Sequence, residues 1–325
     1  MRDSFSRKID YLRISVTDRC NLRCRYCMPE QGVPSVGHGA VLSYEELFRV
    51  ARLAVELGVR KIRLTGGEPL VRKGVVDFIA SLVALPQKPE LTLTTNGVLL
   101  AEYAESLRQA GLARINVSLD SLQPERFEQI SRRDQLQQVL DGLQAAEEAG
   151  LAPIKLNMVP IRGVNADEIA DFARLTFKHP WQVRFIEFMP VSSGLEYTDE
   201  QFYSGEQIKT DLEQVAPLTA EIRQGILGPA RIFRLQGAIG TVGIIHAVSE
   251  HFCHECNRLR LTADGQLRPC LLSEREVDLR ELLRCGVDDQ MLIEVLKQSV
   301  AEKPERHCLG QNYSPGKRKM QGIGG

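Results

Sequence analysis

Apolar residues follow two alternating periods along the first two thirds of the chain. Ser43-Tyr44-Glu45-Glu46 has the form of a capping box, and Leu47, Val50, Ala54 and Leu57 recur at helical spacing until Gly58 ends the run. A β-rich segment, Val59 to Thr65, follows at once. The same reading predicts helices near 75–84, 98–110, 135–149 and 166–178, and strands at 91–95, 114–119, 154–159 and 182–188. With an opening strand at 11–16, six strands separated by helices predict an α/β fold of parallel βα units. Six falls short of the eight of a closed barrel, so the expectation is a partial (βα)6 barrel. After residue 190 the alternation lapses into a polar stretch. From 230 the pattern is of short strands, with a turn at Asp264-Gly265 and helices near 276–284 and 288–301. This divides the chain into a barrel region, 1–228, and a smaller C-terminal region, 229–325. The tail from Tyr313 to Gly325 is rich in Gly and Lys/Arg and poor in apolar anchors, a composition that predicts mobility.

In a parallel α/β sheet the ligand site gathers on the loops that leave the strand ends. Asp18 to Pro29 follows the first strand, Gly66-Gly67-Glu68-Pro69 the second and Thr95-Asn96-Gly97 the third, while Ser118-Leu119-Asp120 ends the fourth. One shared site is expected there.

Composition narrows the classes of function. Of 325 residues 43% are hydrophobic, enough for a sizeable core. Lys and Arg total 41 against 42 Asp and Glu, a formal charge of −1, so nothing in the bulk charge favours a nucleic-acid partner. No apolar run has the length of a membrane span or of a signal-peptide core, and a cytoplasmic, membrane-free protein is expected. Eight cysteines in such a chain point to metal or redox chemistry, because cytosolic reductants keep thiols reduced.

Six of the eight form two triplets. Cys20, Cys24 and Cys27 supply three thiolates within eight residues on a loop after a strand. A 4Fe-4S cube takes four ligands, so three leave one iron open, the mark of a catalytic centre. A zinc site would need a fourth donor, and no nearby His or Cys provides one. In the second triplet, Cys253 and Cys256 are spaced as a pair, and Cys270 follows after thirteen intervening residues. The Asp264-Gly265 turn can fold Cys270 back beside the pair. Here spacing leaves two readings, a structural zinc site completed by Cys285 or a second open-iron cluster. Arg258, Arg260 and Arg268 lie between these ligands. Alternating strand arginines share a face and suit phosphate oxygens, though on an exposed hairpin they could equally be solvated. Cys285 and Cys308 read as small buried hydrophobes.

Cys-Asn-Leu-Arg-Cys-Arg-Tyr-Cys resembles the defining motif of the radical S-adenosylmethionine (SAM) superfamily, and Gly66-Gly67-Glu68-Pro69 resembles its second motif. Over residues 5–325 the chain further resembles the GTP 3′,8-cyclase family of molybdenum cofactor biosynthesis. DRCNLRCRYCMP, KIRLTGGEPL, LTTNG, INVSLDSL, IKLNMV, RFIEFMP, HFCHECNRLRLTADGQLRPCL and the terminal Gly324-Gly325 carry the resemblance. It implies a radical SAM lyase with two 4Fe-4S clusters and SAM as cofactors. One cluster would sit on Cys20, Cys24 and Cys27, the other on Cys253, Cys256 and Cys270. The SAM-derived radical would take hydrogen from the ribose C3′ of GTP, and C3′ would then join guanine C8. By motif, Tyr26, Gly67, Ser118 and Met189 would contact SAM. Arg13, Arg63, Thr94, Lys155, Arg258 and Arg260 would contact GTP, with Arg184 a further phosphate ligand. The Gly-Gly tail would reach into the site. The resemblance also implies an electron donor and a downstream cyclic pyranopterin monophosphate synthase as partners, and it allows a homodimer. A peptide-modifying radical SAM enzyme, or a zinc-stapled scaffold without radical chemistry, are the competing expectations.

Overall fold

The computed structural model describes residues 1–33, 37–189, 191, 199–221, 228–307, 309 and 318–324; Cys308, Gly325 and residues 313–317 of the tail predicted to be mobile lie outside them. The alternation expected from the sequence is present as β1 (Tyr11–Ser15), α1 (Tyr44–Glu56), β2 (Lys61–Thr65), α2 (Val75–Val83), β3 (Glu90–Thr95), α3 (Leu100–Gln109) and β4 (Arg114–Ser118). The helices α4 (Pro124–Ser131) and α5 (Leu136–Glu148) then precede β5 (Lys155–Met158), α6 (Ile169–Lys178) and β6 (Gln182–Ile186). The Ser43 hydroxyl and the Glu46 carboxylate cap the first turn of α1 reciprocally, as the pattern predicts.

The polar stretch after 190 holds a helix that apolar periodicity did not disclose, α7 (Gly205–Val215), again with a capping box, Ser204 and Gln207. Only Ile208 and Leu212 supply its buried large apolar side chains, too few for a clear period. α4 was also missed; Pro124 in its first turn is a start signal that the short apolar pattern did not reinforce. Beyond α7 come β7 (Leu218–Ala220), β8 (Arg231–Leu235), β9 (Thr241–Ile245), β10 (Arg258–Leu261), β11 (Gln266–Arg268) and β12 (Val277–Asp278). The helices α8 (Leu279–Arg284), α9 (Asp289–Ala301) and α10 (Met320–Ile323) complete the order. The segment expected to be helical from 276 begins as β12, and Asp278 caps α8.

The twelve strands among the described residues form one sheet in the order β12-β11-β10-β1-β2-β3-β4-β5-β6-β9-β8-β7. The six βα strands are parallel and neighbour one another in sequence order. β9 adds in parallel beside β6 and β10 beside β1, so both edges of the arc are extended by strands from the C-terminal third. The antiparallel pairs β10–β11 and β8–β9 carry each edge outward. Leu12, Ile14, Ile62, Leu64 and Leu93 are fully buried between this sheet and the helices. Burial on one strand face leaves the alternate residues to face the inside of the arc.

Candidate active site

The inside of the arc encloses a cavity of about 530 Å³, within the range of small-molecule sites. Its wall begins at the loop after β1. There Cys27 N and Met28 N both donate to Cys24 O (2.9 and 3.1 Å), a tight turn that draws the last two cysteines of the triplet together. Cys20 Sγ receives Leu22 N at 3.4 Å and Asn96 Nδ2 at 3.6 Å. The two glycines of the β2 loop have a specific reason. Gly67 N donates to Thr17 O (2.6 Å) and Glu68 N to Arg19 O (2.7 Å), and a Cβ at Gly67 would stand 2.3 Å from Arg19 O. The loop thus lies backbone to backbone against the residues leading into Cys20. Glu68, fully buried, ties in the third loop by accepting Thr95 Oγ1 (2.7 Å) and Asn96 N (2.6 Å). Burial raises its carboxyl to about 7 despite those bonds.

Every residue that the resemblance assigns to a cluster, to SAM or to GTP lines this one cavity. Cys20, Cys24 and Cys27 are on its wall with Tyr26, Gly67, Ser118 and Met189. Tyr26 Oη donates to Asp120 Oδ2 at 2.5 Å, and Asp120 Oδ1 in turn accepts Val159 N at 3.0 Å, so the ring is fixed between two strand ends. Cys253, Cys256 and Cys270 line another part of the wall. The same lining includes Arg13, Arg63, Thr94, Lys155, Arg258 and Arg260, together with Arg184.

The register explains the cationic wall. Arg13 on β1 pairs with Arg260 on β10 and with Arg63 on β2; one step of the pleat away, Tyr11 pairs with Arg258 and with Lys61. Residues two apart share a face, so five cations on three neighbouring strands converge. Lys61 and Arg114, which sequence reading left without a role, also line the cavity, both paired with Glu90. Burial, reinforced by neighbouring Arg260, holds Arg13 well below its usual range, and Arg13 Nε is buried with no hydrogen-bond partner. Burial pushes Lys61 down to about 7. Tyr11 shows the field from the other side: burial would raise its phenol, yet Arg63, Arg13 and Lys61 bring it down to about 8. Such a wall suits a polyanion. Arg268, opposite Arg260 in the register, is not among the residues that line the cavity and is engaged by Glu276 and by the carbonyls of Leu271 and Ser273.

The tail enters the same cavity. Met320 and Gln321 line it, and Gly324 O accepts from Arg13 Nη2 and Arg260 Nη1, each at 3.4 Å. Gly324 has φ +83°, and a Cβ there would meet Ser15 Cβ at 2.9 Å.

The donor sets fit iron-sulfur clusters. Each triplet offers three free thiols on the cavity wall, with N–H groups directed at Cys20 and Cys256. Burial raises Cys20 to about 11 and Cys27 to about 12, and holds Cys24 well above its usual range. Burial would also raise Cys256, but Arg258 and Lys303 bring it down to about 6. Cys285, which a structural zinc site would need, is exposed at the end of α8 and does not line the cavity; its reading as a buried hydrophobe is corrected too. Donor atoms of His251 and His307 lie within 4.8 Å of each other and of Cys253, neighbours that spacing alone could not show.

Residues 14–176 match the Radical SAM superfamily and residues 181–309 the Molybdenum Cofactor Synthesis C family. Among curated relatives, a GTP 3′,8-cyclase of Heliobacterium modesticaldum is 49% identical over the whole of both chains. One of Geobacter sulfurreducens is 52% identical over 94% of each. The solved structure of Streptococcus suis SuiB matches with a TM-score of 0.60 at 15% identity, covering 93% of this chain and 73% of its own, a likeness of fold.

Proposed function

The chain belongs to the GTP 3′,8-cyclase family of the radical SAM superfamily, and from that premise we infer that it converts GTP to (8S)-3′,8-cyclo-7,8-dihydroguanosine 5′-triphosphate, the first step of molybdenum cofactor biosynthesis. The observation that carries this reading is a single cavity lined by both cysteine triplets and by a wall of cations from β1, β2 and β10. Cys20, Cys24 and Cys27 would hold the SAM-cleaving 4Fe-4S cluster, and Cys253, Cys256 and Cys270 a second one facing the guanine. When bound, the first cluster supplies the electron that cleaves SAM and so starts hydrogen abstraction at C3′.

The protein's own groups do the rest by position and charge. Tyr26, Gly67, Ser118 and Met189 hold SAM, with Tyr26 braced by Asp120. Arg13, Arg63, Thr94, Lys155, Arg258 and Arg260 bind GTP, and Lys61 and Arg184 join them as phosphate ligands. The unpartnered Nε of Arg13 gives one reason: a buried guanidinium donor needs an acceptor, which a substrate oxygen provides. No helix among the described residues is long and apolar enough to cross a membrane. A cytoplasmic enzyme served by an electron donor, feeding a cyclic pyranopterin monophosphate synthase and able to form a homodimer, completes the proposal.

Anaerobic reconstitution with iron and sulfide, followed by SAM, dithionite and either GTP or ATP, tests it by mass spectrometry. GTP-dependent 5′-deoxyadenosine with a product isomeric with GTP is expected. SAM cleavage that leaves GTP untouched would refute the substrate.

A further inference from the structure

The second triplet lies on two chain segments, the turn that carries Cys253 and Cys256 and the stretch that carries Cys270, and two buried cations from outside those segments reach both. Lys303, two residues beyond α9 and 3% exposed, donates from Nζ to Arg258 O at 2.9 Å and to Pro269 O. Arg258 is two residues after Cys256, and Pro269 directly precedes Cys270. Arg7, from the N-terminal arm and 8% exposed, donates from Nη1 to Cys253 O at 2.7 Å. The same guanidinium holds the segment after Lys303, through Glu305 O at 2.8 Å and Pro304 O at 2.6 Å. One side chain therefore ties the Cys256 and Cys270 limbs together, while the other ties Cys253 to the strand of chain that carries the first.

The two cations differ in their counter-charge. Arg7 Nε is paired with the buried Asp3 carboxylate at 2.5 Å, so that pair is close to neutral. Lys303 forms no ion pair with a carboxylate among the described residues. The negative groups that favour its ammonium are the sulfurs of Cys256 and Cys270. A buried ammonium without a carboxylate is costly in a low-dielectric interior, and a thiolate-bound cluster is the anion that offsets the cost.

We propose that Lys303 and Arg7 form a clasp that gathers the three thiolates of the second cluster, and that Lys303 also raises the reduction potential of that cluster. This rests on the second triplet holding a cluster. Reduction adds one negative charge, and a fixed ammonium beside the ligands favours the more negative state. Lys303 is thus a positioning residue, acting through Cys256 and Cys270.

The test uses the full chain with Cys20→Ala, Cys24→Ala and Cys27→Ala, so that iron at the second site alone is read. Iron and sulfide per chain and the midpoint potential, from a redox titration followed by electron paramagnetic resonance, are compared for this parent, Lys303→Met and Lys303→Arg. The potential should fall in Lys303→Met and stay near the parent in Lys303→Arg. Loss of iron from Lys303→Met but not from Lys303→Arg supports the clasp equally. Arg7→Met should lose iron, with a smaller change in potential in whatever cluster remains, because Asp3 already balances its charge. Equal iron and equal potential in parent, Lys303→Met and Lys303→Arg, or equal loss of iron from both variants, overturns the inference. A parent that takes up no iron or sulfide refutes the second-cluster reading itself.

Discussion

The two cysteine triplets offer the same number of thiols to the same cavity, yet all three thiols of the first are raised, whereas in the second burial raises Cys253 while Cys256 is lowered. Around the first, burial comes before every other influence, and the charges of Glu68 and Asp120 add to it, so all three thiols are pushed up. Around the second, Arg258 and Lys303 overcome burial at Cys256 and bring it down to about 6. The difference matches what each proposed cluster has to face. A sulfonium cofactor brings its own positive charge to the first. A nucleoside triphosphate needs the cations that surround the second. Ligand count therefore does not distinguish the two sites; the charges next to the ligands do.

The strongest way to separate them is to remove one ligand from each. Cys20→Ala should abolish SAM cleavage, since a cluster with three protein ligands loses one of them, and 5′-deoxyadenosine formation measures it directly. Undiminished 5′-deoxyadenosine from reconstituted Cys20→Ala protein would rule out that ligand set. Cys270→Ala should give the reverse pattern, with SAM still cleaved, about half the iron retained and no cyclised nucleotide. Normal cyclisation by that variant would break the division of labour. A graded effect is expected from the cations. Arg258→Ala or Arg260→Ala each removes a charge-assisted contact of about 1.5–3 kcal/mol, so KM for GTP should rise about 10- to 100-fold. The KM for SAM should be nearly unchanged, and equal weakening of both ligands would contradict a GTP-specific wall.

How far the sequence discloses this depends on the range of the interactions. The parallel βα series is legible because its period is local, and the Cys20–Cys27 loop because its three ligands are adjacent. The placement of β10 is not. Its Arg258 and Arg260 align with Tyr11 and Arg13 across about three quarters of the chain, and no local pattern reports a partner so distant. For the same reason Lys61 passes as an ordinary strand lysine until β1 and β10 are seen beside it. Lys303 follows a helix end in a charged stretch and reads as surface, yet it is buried against two carbonyls. Strand alternation put Arg258 and Arg260 on one face and motif resemblance nominated them as GTP contacts; the register shows which cations they join.

The mildest perturbation of the comparison is chemical, and it needs no cluster. In metal-free protein the thiolate is the species that reacts with iodoacetamide, so alkylation of each cysteine should rise through its own pKa. Cys256, held at about 6, is largely thiolate at pH 7 and should react with a midpoint near pH 6. Cys20 and Cys27, at about 11 and 12, remain thiols there and should resist until strongly alkaline pH. Mass spectrometry of peptides after timed quenching resolves the three. Arg258→Leu removes the charge that most favours the Cys256 thiolate, so its midpoint should move upward while those of Cys20 and Cys27 stay in place. If the Cys256 midpoint does not move in that variant, the charges beside the ligands are not what sets the two triplets apart.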